Sequence, residues 1–570
     1  FTYDANGNLS AKTDFNGDTT TFEYDVNNWL VRKMLADGSQ VNFARTPTGE
    51  LSIVTDARGA TSYTYDARDR LTRVDNPDGS FVAYTYDAQG NRVSVATAAG
   101  STSHSYDALN RLLTTTDIAG GINVYSYDAV GNRSSVTNAN GAGTTYTYDS
   151  LNRLTSAVNE RADASVISVH DYTLGPAGNR VRVDESGGRS VTYTYDLLYR
   201  LLSETVSVSG VDTRTVEYAY DAVGNRLSRS IDGVVTDTYS YDGNDWLLAD
   251  GTNSYVYDNN GNTLARSDGA VAELYSYDFE NRLLAHSSPA GLVEYEYDAE
   301  GNRTASTVNG VTTRFVVDTN RDFAQVLEER NVAGNLLVSY VYGDDLLAQI
   351  RGGTSSYYHY DGLGSTRALT DAAENVTDTY DYDAFGELLA STGSTQNDYR
   401  FTGERFDSNL GFYYLRSRYY DPTTGRFLTL DAFQGFSYDP GTLHKYTYVG
   451  ANPVNMVDPS GQFGVFGALY NAAGRAFLTA SSATGYYRFI MAAKLVQLQV
   501  GGASILAALS TRAQPLLQNA MQYGVRALQS NAFQSARQAA AGINVRLQQA
   551  QQSLAATQSS LPRLLSLIHI

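Results

Sequence analysis

YSYDAVGNRSSVTNANGAGTTYTYDSLNR, residues 125–153, decides the fold. It holds one full copy of a unit and the opening of the next. The unit reads aromatic-x-Tyr-Asp, then a turn, then Asn-Arg. The aspartate recurs from Asp4 and Asp25 through Asp128 and Asp149 to Asp278 and Asp298, mostly at intervals of 20 or 21 residues. Two wider gaps contain degenerate copies, FARTPTGEL and DYTLGPAGNR. In YTYD (84–87, 146–149 and 193–196) the two tyrosines are two apart, so on a strand they share one face. Asp ends the strand and can bond to the turn that follows. In AVGNR (129–133) and AEGNR (299–303), Gly and Asn tolerate positive φ. Arg opens the returning strand. A second turn such as NPDGS (76–80) closes a unit of two strands and two turns. Stacked hairpins predict Tyr above Tyr at ~4.8 Å.

A single such hairpin would not fold alone, so neighbour contacts must support the array. Open twisted sheets rarely exceed ~10 strands without curling. An array of this length must therefore coil, as a solenoid, a propeller or a spiral wall round a cavity. The expected fold class is mainly β: a coiled hairpin ribbon forming a hollow shell, a plug that closes it, and a C-terminal α-helical segment.

Composition agrees. The chain has 44 Tyr and 50 Gly in 570 residues. It has no Cys, which excludes a disulfide framework, a thiolate metal site and a Cys nucleophile. No P-loop, GxSxG or EF-hand loop occurs. His104, His170, His286, His359 and His444 are scattered, as packing or surface residues would be. The sequence implies no cofactor and no metal site. The chain starts mid-motif at Phe1 and ends in LLSLIHI, so both ends read as fragment boundaries.

Charge divides the chain. Residues 462–570 carry eight Lys or Arg and no Asp or Glu, while residues 1–461 hold 34 basic and 61 acidic side chains. The net charges are +8 and −27. A break this sharp marks a boundary, and an acidic enclosure would attract a basic cargo. The expected division is 1–345 repeat, 346–461 plug and 462–570 tail. The tail is rich in Ala, Gln and Leu and reads as amphipathic helix, with Arg526, Arg537 and Arg546 on it.

In 346–461 the repeat weakens and two Asp-Pro turns appear, DPTTG (421–425) and DPSG (458–461). These are turns in any reading. Two Asp forced together also share a proton, and such a pair performs aspartic-type peptide hydrolysis without Cys, Ser or metal. The stretches YHYDGLGSTRALTD (358–371), RSRYYDPTTGRFLTLD (416–431) and LHKYTYVGANPVNMVDPSG (443–461) resemble the core-associated region of the Rhs/YD-repeat proteins, polymorphic toxin shells related to the C subunit of Tc toxin complexes. The resemblance implies a shell that encloses its own C-terminal segment, often a toxin, and frees it by self-cleavage. It makes Asp431 and Asp458 the catalytic aspartates and Arg418 the arginine required beside them, orienting one carboxylate. Two positions depart from the commonest pattern: Ala432, where Pro often follows the Asp, and Gln462, where Leu is frequent. The scissile bond stays open, with Phe463, Phe466 and Leu469 as apolar candidates.

The expected function is encapsulation and autoproteolytic release of a C-terminal toxin or effector just after DPSG, by single-turnover aspartic-type cleavage. The expected partner is the chain's own C-terminal segment. A secretion apparatus or a toxin-complex subunit is a further partner class, and the paired Tyr and Asp admit a carbohydrate. The shell itself is expected to make no nucleic-acid contact. The expected location is secreted or at the bacterial cell surface. The alternative from another class is a non-enzymatic adhesion repeat protein whose Asp-Pro turns are only structural.

Overall fold

The structure is a computed structural model that describes residues 1–435, 440–462 and 464–466. The helices expected in the tail, together with Phe463, Leu469 and the side chain of Phe466, lie outside the described residues. The described part is nearly all antiparallel β. One sheet of 23 strands runs from Thr2–Tyr3 to Val234–Thr238, and a second of 16 strands runs from Ser240–Tyr241 to Leu388–Thr392. They are one ribbon with a one-residue interruption, because the Tyr239 N–H still bonds the Leu227 carbonyl at 3.0 Å.

Each repeat is locked by its aspartate. The Asp149 N–H donates to the Arg153 carbonyl at 2.9 Å. Its Oδ1 accepts from the backbone N–H groups of Leu151 and Arg153, and its Oδ2 takes the Arg153 Nε at 2.7 Å. In the GNR variant Asn stands in for Arg: Asn132 Nδ2 donates to Asp128 Oδ2 at 2.9 Å. The third residue after the Asp is left-handed in both variants, Gly131 at φ 103° and Asn152 at φ 60°. That is the conformation Gly and Asn adopt at least cost.

The tyrosines do share one face, but they do not stack at one-strand spacing. A returning strand separates Tyr127 from Tyr148, so equivalent rings are two spacings apart, ~9.6 Å. The rungs are tied differently. In many repeats the second Tyr donates its hydroxyl to the carbonyl that opens the neighbouring strand, as from Tyr148 to Arg133 at 2.9 Å and from Tyr195 to Arg180 at 2.6 Å. Turn arginines cover the next ring: Arg111 lies 4.4 Å from the centroid of Tyr127. The residue between the tyrosines points the other way and makes hydroxyl pairs such as Thr85 with Ser94 at 2.6 Å.

The ribbon coils onto itself. Phe15 N–H bonds Asn260 Oδ1 at 2.9 Å across 245 residues, and Asn140 Nδ2 bonds the Asp371 carbonyl across 231. Farther along, Arg229 pairs with Glu387 across only 158 residues. The lap therefore shortens along the chain, and the wall narrows toward its C-terminal end. The first contact encloses the strands from Thr19–Tyr24 to Ser254–Tyr257. At ~4.8 Å per strand that lap has a path of roughly 100 Å, a spiral wall round an interior.

The chain then turns into that wall. A four-stranded sheet of Arg405–Asp407, Phe412–Tyr414, Tyr419–Asp421 and Arg426–Phe427 forms the plug. One buried cluster joins Val82 and Tyr84 of the first lap, Tyr340 and Tyr358 of the second, and Tyr413, Tyr420, Tyr448 and Val457 of the plug. Burial of these rings removes apolar area worth ~25 cal/mol per Å² from water, which fixes the plug to the wall.

Candidate functional site

The plug brings together the three residues singled out by resemblance. Arg418 immediately precedes the strand Tyr419–Asp421, and Asp431 lies four residues beyond Arg426–Phe427. Asp458 follows the short strand Met456–Val457, which pairs with Val465–Phe466. The Asp431 backbone N–H bonds the Lys445 carbonyl at 3.1 Å, which ties the first acidic segment to the second.

Arg418 sits between the carboxylates. Its Nη2 is 2.8 Å from Asp431 Oδ2 and 3.9 Å from Asp458 Oδ2. The two carboxylate oxygens are thus no farther apart than the sum of those distances. The guanidinium, which is buried, lies 3.7 Å over the Phe427 ring and donates from Nη1 to the Lys445 carbonyl at 2.9 Å. Its Nε donates to the Gly461 carbonyl. The sequence reading put a shared proton directly between the two aspartates; in the structure the guanidinium stands between them and contacts each through one nitrogen.

The carboxylates meet different surroundings. Burial pushes the Asp431 carboxyl above the usual carboxylate range, against the pull of Arg418 and Lys445. Asp431 Oδ1 accepts the Phe433 N–H at 2.8 Å. Asp458 Oδ1 accepts the Ser460 hydroxyl at 2.9 Å and the Gln462 backbone N–H at 3.2 Å. That last contact spans the same four residues as the Asp-turn contact of the Tyr-Asp repeats of the wall. At the Asp242 turn the buried Arg426 likewise reaches the carbonyl just before that N–H, that of Asp245, but its Nη1 goes to the amide oxygen of Asn225, whereas Arg418 meets carboxylates. The Gly461–Gln462 peptide is gripped at both ends, its oxygen by Arg418 and its nitrogen by Asp458.

Three further charged groups surround the site, and the sequence reading missed their role. Lys445 donates to the Phe433 carbonyl at 2.6 Å, and burial lowers its pKa. Arg416 adopts a left-handed backbone, φ 63°, and reaches Glu404 Oε2 at 2.8 Å. Burial, with a contribution from the charge of Asp458, pushes the Glu404 carboxyl up to about 7. Glu404 lies 54 residues before Asp458. Nothing in their spacing links them; only the plug does. Among the described residues no cluster of His, Asp and Glu has the makings of a metal site.

Comparison with known proteins places the chain. The family model described as Teneurin YD-shell matches residues 48–168 and 179–454, and the RHS Repeat model matches 3–40. The tRNA3(Ser)-specific nuclease WapA of Bacillus spizizenii is 36% identical over 334 residues, 57% of this chain and 14% of that protein. The Double-stranded DNA deaminase toxin A of Burkholderia cenocepacia is 28% identical over 297 residues, 45% of this chain and 20% of that protein. Among solved structures, TcdB2-TccC3 superposes with a TM-score of 0.67 at 18% identity, over 80% of this chain and 28% of that one. The chain thus spans a small part of each of these proteins. The matched residues are the coiled wall and its plug, and the chain belongs to the teneurin YD-shell family as an Rhs/YD-repeat shell protein.

Proposed function

We propose that this chain encloses the polypeptide that follows Gly461 and releases it by cutting itself just after DPSG. In this reading residues 1–392 are wall, because the ribbon runs past the expected boundary at 345 to Leu388–Thr392; the stretch from there to 461 carries the plug and the cutting site, and 462–570 begin the cargo. The observation that carries the reading is the Gly461 carbonyl held by Arg418 while the same guanidinium contacts Asp431 and Asp458.

The roles follow from geometry. Arg418 polarises the carbonyl and stabilises the oxyanion as it forms. Asp431 takes a proton from water, whose oxygen bonds to the Gly461 carbonyl carbon. The C–N bond breaks, and Asp458, which enters the step protonated, gives its proton to the Gln462 nitrogen. The two carboxyls hold one proton between them before the cut, on Asp458, and one after it, on Asp431. No metal or cofactor enters.

Two lines support the container. The described wall and plug are acidic while the residues after 461 are purely basic. The two curated relatives named above carry different activities in their names, nuclease and deaminase, yet each match is longer than the 109 residues that follow Gly461. The similarity therefore falls largely on the wall, and the activity of the cargo lies elsewhere. By the same likeness the released segment is a toxin or effector, the partner is this segment or a toxin-complex subunit, and the particle acts outside the cell that makes it.

The test is a denaturing gel and intact mass of the folded chain and of Asp431→Asn, Asp458→Asn and Arg418→Ala. The reading expects a cut wild type and three uncut variants. A folded wild type that stays at 61.9 kDa overturns it.

A further inference from the structure

Residues 416–418 run beside 459–461 in constant register, each 43 residues from its partner. Arg416 Nη1 donates to the Pro459 carbonyl. The Ser417 N–H is shared between the Leu415 carbonyl at 2.8 Å and the Ser460 carbonyl at 3.3 Å. Arg418 Nε donates to the Gly461 carbonyl. Three consecutive carbonyls of the Asp-Pro-Ser-Gly turn are thus taken by three consecutive residues. The Gln462 side chain adds a fourth contact, Nε2 to Ser417 Oγ at 3.1 Å.

The approach is close. A Cβ on Gly461 would stand 2.4 Å from the Leu415 carbonyl oxygen and 3.0 Å from the Arg418 nitrogen, and Gly461 has φ 70°. Only glycine permits both the contact and the conformation. Arg416 is itself anchored on the wall: its Nε donates to the Ala324 carbonyl at 2.9 Å, and its guanidinium lies 5.7 Å from the Phe323 ring centroid. The buried Glu404 holds its Nη1 at 2.8 Å. A left-handed backbone at a non-glycine residue is strained and persists where surrounding contacts over-determine it.

We propose that Arg416 is a positioning residue that sets which peptide bond is presented to Arg418, Asp431 and Asp458. It acts through Pro459, two residues before the bond, and it transmits the position of the second lap of the wall, at Ala324, to the substrate turn. Glu404 keeps its side chain on that carbonyl. The inference rests on the self-cleavage reading, and it adds a register device: residues 416–418 read the turn carbonyl by carbonyl, and Gly461 is the one position where a side chain is refused.

Full-length wild type, Arg416→Ala, Arg416→Lys and Gly461→Ala are incubated after folding, the cut is timed on gels, and the new N-terminus is read by mass spectrometry. Displacement by about an ångström costs roughly 10²-fold in rate, so Arg416→Ala and Gly461→Ala cut at least about tenfold slower and at more than one bond. Arg416→Lys, which restores the charge between Glu404 and Pro459, returns the cut to a single bond. A purely structural role would lower the melting temperature without moving the cut. Wild type that is cut, with Arg416→Ala cut at the same single bond and the same rate, overturns the positioning role alone. Wild type that is folded and uncut overturns the self-cleavage reading and this inference with it. Should Arg416→Ala fail to fold, Arg416→Gln, which keeps much of the length and loses the charge, decides: a shifted or slowed cut supports the role, and a cut at the wild-type bond and rate overturns it.

Discussion

The Tyr84 hydroxyl donates to Asp318 Oδ1 at 2.8 Å, across 234 residues and from one lap of the wall to the next. Asp318 is fully buried, and its other oxygen meets Arg92 and Arg321 at 2.9 Å each. Burial opposes its charge, yet the two guanidiniums and the hydroxyl hold its carboxyl below the usual range. Asp318→Ala leaves two cations and a phenol without their shared acceptor. Removing one partner from a buried ionic group costs about 3–5 kcal/mol. Urea unfolding of the variant should show a lower midpoint, and an unchanged midpoint would show that the laps are held elsewhere.

A smaller effect is expected within a lap. Tyr148→Phe deletes only the hydroxyl that bonds the Arg133 carbonyl. The loss should be about 0.5–1.5 kcal/mol by the same measurement. A neutral result would return the weight to ring packing.

Turn chemistry predicts an asymmetry. Gly131 and Asn152 occupy the same left-handed position in two repeats. Gly131→Val should cost about 1–2 kcal/mol, because a β-branched side chain is forced into that region. Asn152→Gly should stay within about 0.5 kcal/mol. Equal effects would contradict the assigned backbone.

Stability should fall as pH rises through neutrality. Glu404 has its carboxyl pushed up to about 7, by burial first. Burial and the neighbouring Asp383 also push Glu204 up, and Glu204 accepts the Ala384 N–H at 2.9 Å at the lap seam. A raised acid binds more protons folded than unfolded, so folding weakens between the unfolded value near 4.5 and the folded one. Arg416, Asp458 and Tyr448 face Glu404, and Arg214, Arg229 and Asp383 face Glu204. Turn aspartates act in the opposite sense. Burial is the largest single influence on Asp107 and raises it, but the backbone and side chain of Arg111 with the Leu109 N–H together hold it low, so its contribution is lost only as pH falls through that depressed value. The melting temperature should therefore peak in mild acid and drop toward pH 8. Glu404→Gln should flatten part of the alkaline drop; a curve rising from pH 5 to 8 would refute the assignment.

The sequence by itself determined what acts within one repeat. Asp149 bonds residues two and four ahead, and Gly131 and Asn152 turn the chain; that Tyr148 ties its hydroxyl to a carbonyl 15 residues back, where the period predicts stacked rings, only the structure showed. Turn contacts so short are written in a 21-residue period, and so is the necessity that many strands curl. The sequence also named Arg418, Asp431 and Asp458, through a resemblance rather than through spacing. The tertiary structure decided the rest. It set Tyr84 on Asp318, put Arg418 between two carboxylates, brought Glu404 to Arg416, and laid 416–418 along 459–461. These partners depend on twist and curvature summed over many strands, where a small angle at each step fixes which residues meet a lap later, and no local pattern carries that sum.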